Sequence, residues 1–212
     1  MRGVSPPAGE LAAALELLAE ALAAAGHVGA CVSFAAARGG FLEGEFEVRS
    51  ADGRVRRMQA ACLPLPAPLV RAFAYRAPAR NLRLDLSTHC LTLWSPQELI
   101  ELQVGYRWHG FTGKKMREWD ERFVVFAEDG GDPLALRVDE QDGPVWLSHR
   151  GEGRHAFFRA APSLADFYDA LALRLSSGGA AQLERGLRAR FGPAAEELWV
   201  FRQFVTRIDA RR

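Results

Sequence analysis

Leu11, Leu15, Leu18 and Leu22 recur at steps of four, three and four, an apolar stripe with Glu16 and Glu20 off it, and Gly26 ends the pattern. This spacing predicts an amphipathic first helix. From His27 to Leu65 the period changes to alternation, with Phe46 and Val48 before Asp52-Gly53, and Val55 after it between Arg54 and Arg56. A hairpin turning at Asp52-Gly53 is expected. Pro64, Pro66 and Pro68 stop its second strand, Leu69 to Tyr75 reads as a short helix before Pro78, and this first section closes near Arg80.

Leu82, Leu84 and Leu86, then Leu91 and Leu93, alternate as strands. Ser95-Pro96-Gln97-Glu98 has the order of a helix start, with Ser at the N-cap, Pro at the first position and Glu at the third, and Leu99, Leu102 and Tyr106 continue helically. Phe123 to Ala127, Leu134 to Val138 and Val145 to Leu147 are apolar runs separated by Asp129-Gly130-Gly131-Asp132 and Asp142-Gly143-Pro144, a meander of three strands. Ser163 with Asp166 three residues later opens a helix carrying Leu164, Phe167, Leu171 and Leu175, which Ser176 to Gly179 breaks. A short helix near Gln182 to Arg190 comes next, and after Gly192-Pro193 a last one presents Leu198, Phe201, Val205 and Ile208.

At 212 residues, 49% hydrophobic and 25% charged, the chain has the balance of a globular protein. Lys plus Arg number 27 against 26 Asp plus Glu, so the net charge of +1 gives no global reason to expect nucleic acid or an anionic membrane. Lys occurs only at Lys114 and Lys115, which leaves the basic side almost wholly to Arg. Cys31, Cys62 and Cys90 are odd in number and widely spaced, which fits a reducing cytoplasm better than a disulfide framework. Glu10, Glu16 and Glu20 argue against reading the Ala/Leu-rich run from Leu11 to Ala25 as a targeting segment. A cytoplasmic protein without a membrane span is the expectation.

The common nucleotide, phosphate, esterase and zincin signatures are absent. His89 beside Cys90, with Asp85 nearby, does not make a thiol–base pair, because adjacent strand residues point to opposite faces. His149 and His155 bracket a polar loop and bring no third ligand for zinc, and Asp129, Asp132, Asp139 and Asp142 lack the order of a calcium loop. No catalytic residue, metal or cofactor is therefore assigned. What remains is charge. Glu118, Asp120, Glu121, Glu128, Asp129, Asp132, Asp139, Glu140 and Asp142 stand against only Arg122 and Arg137, a local net of −7 that leaves +8 on the rest. Such a run is either a solvated face or a surface that steers a basic protein partner. Trp119 at its edge is either an aromatic anchor for that partner or part of the core.

Several stretches have an order in common with a known family: Ser95-Pro96-Gln97-Glu98-Leu99; Trp119 through Phe126-Ala127-Glu128-Asp129-Gly130-Gly131-Asp132-Pro133-Leu134; Gly143-Pro144-Val145-Trp146-Leu147-Ser148-His149; and Ser163-Leu164-Ala165-Asp166-Phe167. The chain resembles the SUKH superfamily, which includes the fungal Smi/Knr-type cell-wall regulators, over about residues 91–175. Leu63-Pro64 to Phe73 partly echoes a further family helix, while Ala77-Pro78-Ala79-Arg80 stands where that family has glycines. The resemblance implies an α+β fold, a largely antiparallel twisted sheet with helices packed on it, and the meander and flanking helices agree. Residues 1–212 are then a single domain. The N-terminal helix and hairpin (1–80) and the C-terminal helices (178–212) elaborate the core.

The resemblance further implies a bacterial immunity protein that binds and neutralises a cognate toxin or effector domain, a nuclease or deaminase for example, with no direct contact to nucleic acid or membrane. A monomer or weak homodimer is the expected state. The partner-binding residues implied by charge are Glu118, Trp119, Asp120, Glu121, Glu128, Asp129, Asp132, Asp139 and Asp142. The competing reading is a non-catalytic regulator or scaffold of the same fold. A small hydrolase using Cys90 or the His149/His155 loop runs against both geometry and motifs.

Overall fold

The structure, a computed structural model, describes residues 9–32, 40–86, 89–149 and 156–205. The first helix, α1 (Glu10–Ala24), buries Leu11, Ala14, Leu15, Leu18, Ala21 and Leu22, the stripe read from the sequence widened by two alanines. It ends as the apolar period does. Gly26 takes φ +91°, His27 N donates to the Leu22 carbonyl (2.8 Å) and Gly26 N to that of Ala23 (3.0 Å), so the left-handed glycine satisfies two terminal carbonyls.

A two-residue strand β1 (Cys31–Val32) precedes the hairpin of β2 (Phe41–Arg49) and β3 (Val55–Pro64), which pair with Arg49 opposite Val55 and turn at Asp52-Gly53 as expected. Phe46 and Val48 face inward from β2, while Glu43, Glu45, Glu47 and Arg49 alternate outward. The prolines end β3 and open α2 (Ala67–Tyr75), whose C-terminus meets the short β4 (Ala77–Pro78), paired with β1. Glu16 of α1 ties this section together. It accepts from Arg76 Nε (3.1 Å) and Nη2 (2.7 Å) and from the Tyr75 hydroxyl.

Six strands then form one antiparallel sheet: β5 (Leu82–Asp85), β6 (Cys90–Leu93), β7 (Phe123–Asp129), β8 (Asp132–Arg137), β9 (Val145–Ser148) and β10 (Phe157–Ala161), each neighbour in the sheet being the neighbour in sequence. The meander is thus twice as long as the three-strand one read from the sequence, because the strands expected at Leu82–Leu86 and Leu91–Leu93 join it and β10 is added. It starts at Leu82, upstream of the resemblance, and ends with a strand that no alternation announced. Strand β7 is buried along nearly its whole length, and Phe126 meets Phe167 edge to face at 5.7 Å. Phe167 lies on α4 (Leu164–Ser176), which Ser163 caps by accepting from Asp166 N (3.1 Å). Helix α1 packs on α4.

After α4 come α5 (Ala180–Phe191), a 3-10 turn (Gly192–Glu197) and α6 (Trp199–Val205). Gly186 allows α5 close to α4, since a Cβ there would lie 3.3 Å from Leu173 Cδ2, and Arg190 bridges back to Asp166 (2.9 Å) and Asp169 (3.1 Å). Ile208, expected on the last helix, lies outside the described residues. The result is an α+β fold of antiparallel sheets with several helices packed on them, and one contiguous cluster of buried side chains runs from Leu11 to Val205. Among the described residues no helix is long and apolar enough to cross a membrane.

The connection from β6 to β7 departs from the expected helix. Ser95 caps nothing; Glu98 N donates to the Ser95 carbonyl in a turn, and only Leu99–Leu102 (α3) is helical, with Glu98 at its N-cap. The reason is the residue just past α3. Gln103 is fully buried and turns its amide to the sheet: Nε2 donates to the carbonyls of Val125 (2.8 Å) and Leu99 (3.0 Å), and Oε1 accepts from Val125 N (3.2 Å). A side-chain amide here acts as a strand partner for β7 where the pairing with β6 has stopped at Leu93. Tyr106, expected on the helix, instead enters the core from the next turn.

Candidate functional site

The acidic residues singled out from the sequence fall at two places. Glu128, Asp129 and Asp132 surround the β7–β8 turn, where Gly130 (φ +61°) and Gly131 (φ +98°) both take left-handed conformations that a tight two-residue hairpin turn needs. Each acid has a specific neighbour. The Tyr106 hydroxyl donates to Glu128 Oε1 (2.7 Å), with the Gly131 carbonyl 3.0 Å away. Asp132 Oδ2 lies 2.8 Å from His149 Nδ1, whose ring rests on Phe158 at 4.9 Å. Asp129 is almost buried beside His89, Oδ1 to Nε2 being 3.8 Å, and the His89 ring stacks on Phe204 (6.1 Å) and meets Trp199 edge-on (6.3 Å). These contacts bring α6 onto the bend residue just ahead of β6.

Glu118, Trp119, Asp120, Glu121, Asp139 and Asp142 lie away from that turn. Asp120 and Glu121 precede Phe123, and Phe123 pairs with Arg137 just before Asp139. Strand β7 separates this group from the Gly130-Gly131 turn by about 20 Å at roughly 3.4 Å per residue. Most of its acids are paired. Asp120 takes the Arg122 guanidinium through both oxygens (2.6–3.0 Å), which holds its carboxyl below the usual range. Asp139 is held down in the same way by Arg137 (2.6 and 2.9 Å). Glu121 meets Lys115 (2.8 Å) and Arg107 (3.3 Å), and the Lys115 hydrogen bond leads in lowering its pKa. Asp142 pairs with Arg71 of α2, and Glu140 with Arg137 (3.2 Å). Glu118 is exposed and outside these pairs.

Two expectations change. Counting along the chain gave a single run of −7, but Arg71, Arg107 and Lys115 reach it from elsewhere and the acids divide between the two ends of a hairpin, so no single acidic face results. Trp119 is core. It is 4% exposed, its Nε1 donates to the Phe123 carbonyl (3.1 Å), and its ring sits between Tyr106 (5.4 Å) and Phe157 (5.6 Å). A partner therefore meets it only through the residues that cover it. Arg107 escapes a count along the acidic run because it precedes that run in sequence; it is 6% exposed, its Nη1 donates to the Glu121 carbonyl (2.8 Å), and burial lowers its pKa.

Of the groups weighed for chemistry, His89 faces Asp129 rather than a thiol, and His149 faces Asp132. His155 lies outside the described residues. Among the described residues no three His, Cys, Asp or Glu side chains converge as metal ligands. No family model matches the chain, and neither does any curated protein or solved structure.

Proposed function

We propose that this chain is a non-catalytic immunity protein, which binds a cognate bacterial toxin or effector domain and neutralises it by direct contact. What supports the reading is where the stretches that resemble the SUKH superfamily fall. Ser95 to Leu99 forms the turn into α3, Trp119 to Leu134 supplies the buried tryptophan and the β7–β8 hairpin, Gly143 to His149 leads into and just past β9, and Ser163 caps α4. They occupy successive parts of one antiparallel sheet and the helix behind it, the kind of fold the resemblance implies.

Two histidines weighed for chemistry make local contacts with acids: His89 beside Asp129 under α6, and His149 against Asp132 at the β7–β8 turn. That arrangement supports a protein that works by surface complementarity, for which a specific complex buries about 1,200–2,000 Å². Within this reading Glu118, exposed and outside the ion pairs, is the acid open to a basic toxin; Glu121, Asp139 and Asp142 would meet it only by exchanging their present partners, and Trp119 and Asp129 act through the fold beneath them.

Co-expression with the toxin domain encoded beside the gene, scored for growth and co-purification together, tests the proposal. Growth rescue with a stoichiometric complex is the expected result. Unrelieved toxicity without a complex would refute it and leave the scaffold reading of the same fold.

A further inference from the structure

Strand β2 has a second edge, the one that β3 does not pair. Glu47 N donates there to Glu101 Oε2 (2.9 Å) and Arg49 N to the Gly110 carbonyl (3.0 Å), so both residues turn their backbone groups away from β3. Hydrogen-bonding direction alternates along a strand, which sends the N–H and C=O of Glu43 and Glu45 the same way. The register shift between Leu42 and Gly44 does not disturb this, because the extra residue lies on β3: two steps on β2 face three from Leu63 to Ala60. Among the described residues nothing hydrogen-bonds to Glu43 or Glu45 at this edge.

A depression of about 370 Å³ adjoins the open edge, lined by residues 41–45 on one side and by Pro96, Gln97 and Ile100 on the other. Gly44 permits the close approach, since a Cβ there would lie 2.8 Å from Ile100 Cδ1. Leu42, Pro96 and Ile100 give it a buried apolar wall, and Phe41 is 44% exposed at its end. Phe41, Glu43, Glu45 and Glu47 alternate with the buried positions of β2 and so share its outer face. Their charges are not equally matched. Glu47 has Arg57 at 3.5 Å, whereas Glu43 and Glu45 are exposed and make no ion pair among the described residues, and Glu45 stands across from the neutral Gln59. Unmatched carboxylates, an uncovered aromatic ring, an apolar wall and open backbone groups thus meet along one short edge.

We propose that this edge receives an added strand from a partner protein, a short extended segment in which basic and apolar residues alternate. Lys or Arg side chains of that segment lie across from Glu43 and Glu45 on the outer face, and the residue between them places an apolar side chain in the depression, against Pro96 and Ile100. Backbone pairing to the edge gives affinity, and the alternate side chains give specificity. The open stretch is short. From Phe41 to Glu45 it runs about 14 Å at roughly 3.4 Å per residue, after which Glu101 closes the edge at Glu47. Charge decides against the other occupants: pairing of this edge with a second copy of itself sets glutamates against glutamates, and a nucleic-acid backbone meets the same repulsion. The inference concerns the surface and stands whether or not the partner is a toxin.

Fluorescence anisotropy with the full chain and three labelled peptides tests this. The first peptide alternates Lys and Val at its centre, the second has the same composition with its cations grouped at one end, and the third is the first with its central backbone nitrogens methylated. The chain is expected to bind the first about tenfold more tightly than either of the others, and more weakly as salt rises. Glu43→Lys with Glu45→Lys weakens that binding by about tenfold or more, whereas Glu20→Lys, at an exposed position on α1, leaves it within about twofold. Circular dichroism verifies folding, and Glu43→Gln with Glu45→Gln replaces the reversal should the latter unfold. Absent binding of the first peptide overturns the proposal and leaves the two glutamates as charges that keep the edge unpaired. It is equally overturned by equal binding of the grouped or methylated peptide, by an unaffected Glu43/Glu45 variant, or by an equal loss in the Glu20 variant.

Discussion

Gln103 offers the sharpest test of how the sheet is held. Replacing it by Met keeps the length of the side chain and deletes both polar groups. The N–H and C=O of Val125 are then buried without partners, because both point at the Gln103 amide rather than at a neighbouring strand. Each of the two orphaned groups costs about 1–3 kcal/mol, and removing the burial of the amide itself returns roughly 1–2 kcal/mol, so the net loss centres on about 2–3 kcal/mol. Against a total of about 5–15 kcal/mol for an ordinary domain this is a large fraction. Urea unfolding followed by tryptophan fluorescence reads it directly. With a slope of roughly 2 kcal/mol per molar, the midpoint falls by about 1–1.5 M at unchanged slope. A midpoint within about 0.2 M of wild type would show that Val125 finds other partners, and the strand-like role assigned to this side chain would be wrong.

Other substitutions separate core from surface. Trp119→Ala should lower stability by about 3–5 kcal/mol in the same unfolding assay while leaving the partner affinity of the folded fraction unchanged; the reverse pattern would make Trp119 a contact residue. Ser163→Ala removes the cap of α4 and should reduce stability by about 1 kcal/mol, with no loss if the first turn of α4 is already held by packing. Arg76 and the Tyr75 hydroxyl, by hydrogen bonding, hold the Glu16 carboxyl below its ordinary pKa. Since the folded value lies below the unfolded one, this contribution is fully present above the unfolded pKa and is lost as pH falls through the folded one. Glu16→Gln should therefore flatten the acid limb of a stability–pH curve, and an unaltered limb would assign that limb to other carboxylates.

Features set by local pattern were readable from the sequence. The leucine stripe of α1, the Asp52-Gly53 turn, the paired glycines after Asp129 and the Ser163 cap depend on residues within a few positions of each other, and each appears where the pattern puts it. Features set by distant partners were not. Ser95-Pro96-Gln97-Glu98 carries the chemistry of a helix start, yet a residue beyond α3 has its amide claimed by β7, and the helix stops after one turn. Strand β10, with Phe157-Phe158-Arg159 showing no alternation, arises from pairing with β9. The acidic run misled for the same reason: a sum over neighbours in sequence contains neither the length of β7 nor the cations that Arg71, Arg107 and Lys115 bring from other segments.

The pairing of α1 with α4 has a consequence in time. Every strand of the six-stranded sheet waits only for the next one in sequence, so the meander closes by local steps, which fold fast. Helix α1 must wait for a partner that begins about 140 residues after it ends, and at roughly 5–20 residues per second its leucine face stays uncovered for about 7–30 s of synthesis. Glu16 and Glu20 on the opposite side keep that stretch charged in the interval. Helix α1 is thus made long before its partner and is one of the last elements to find its place, which makes it dependent on whatever shields apolar surface at the ribosome.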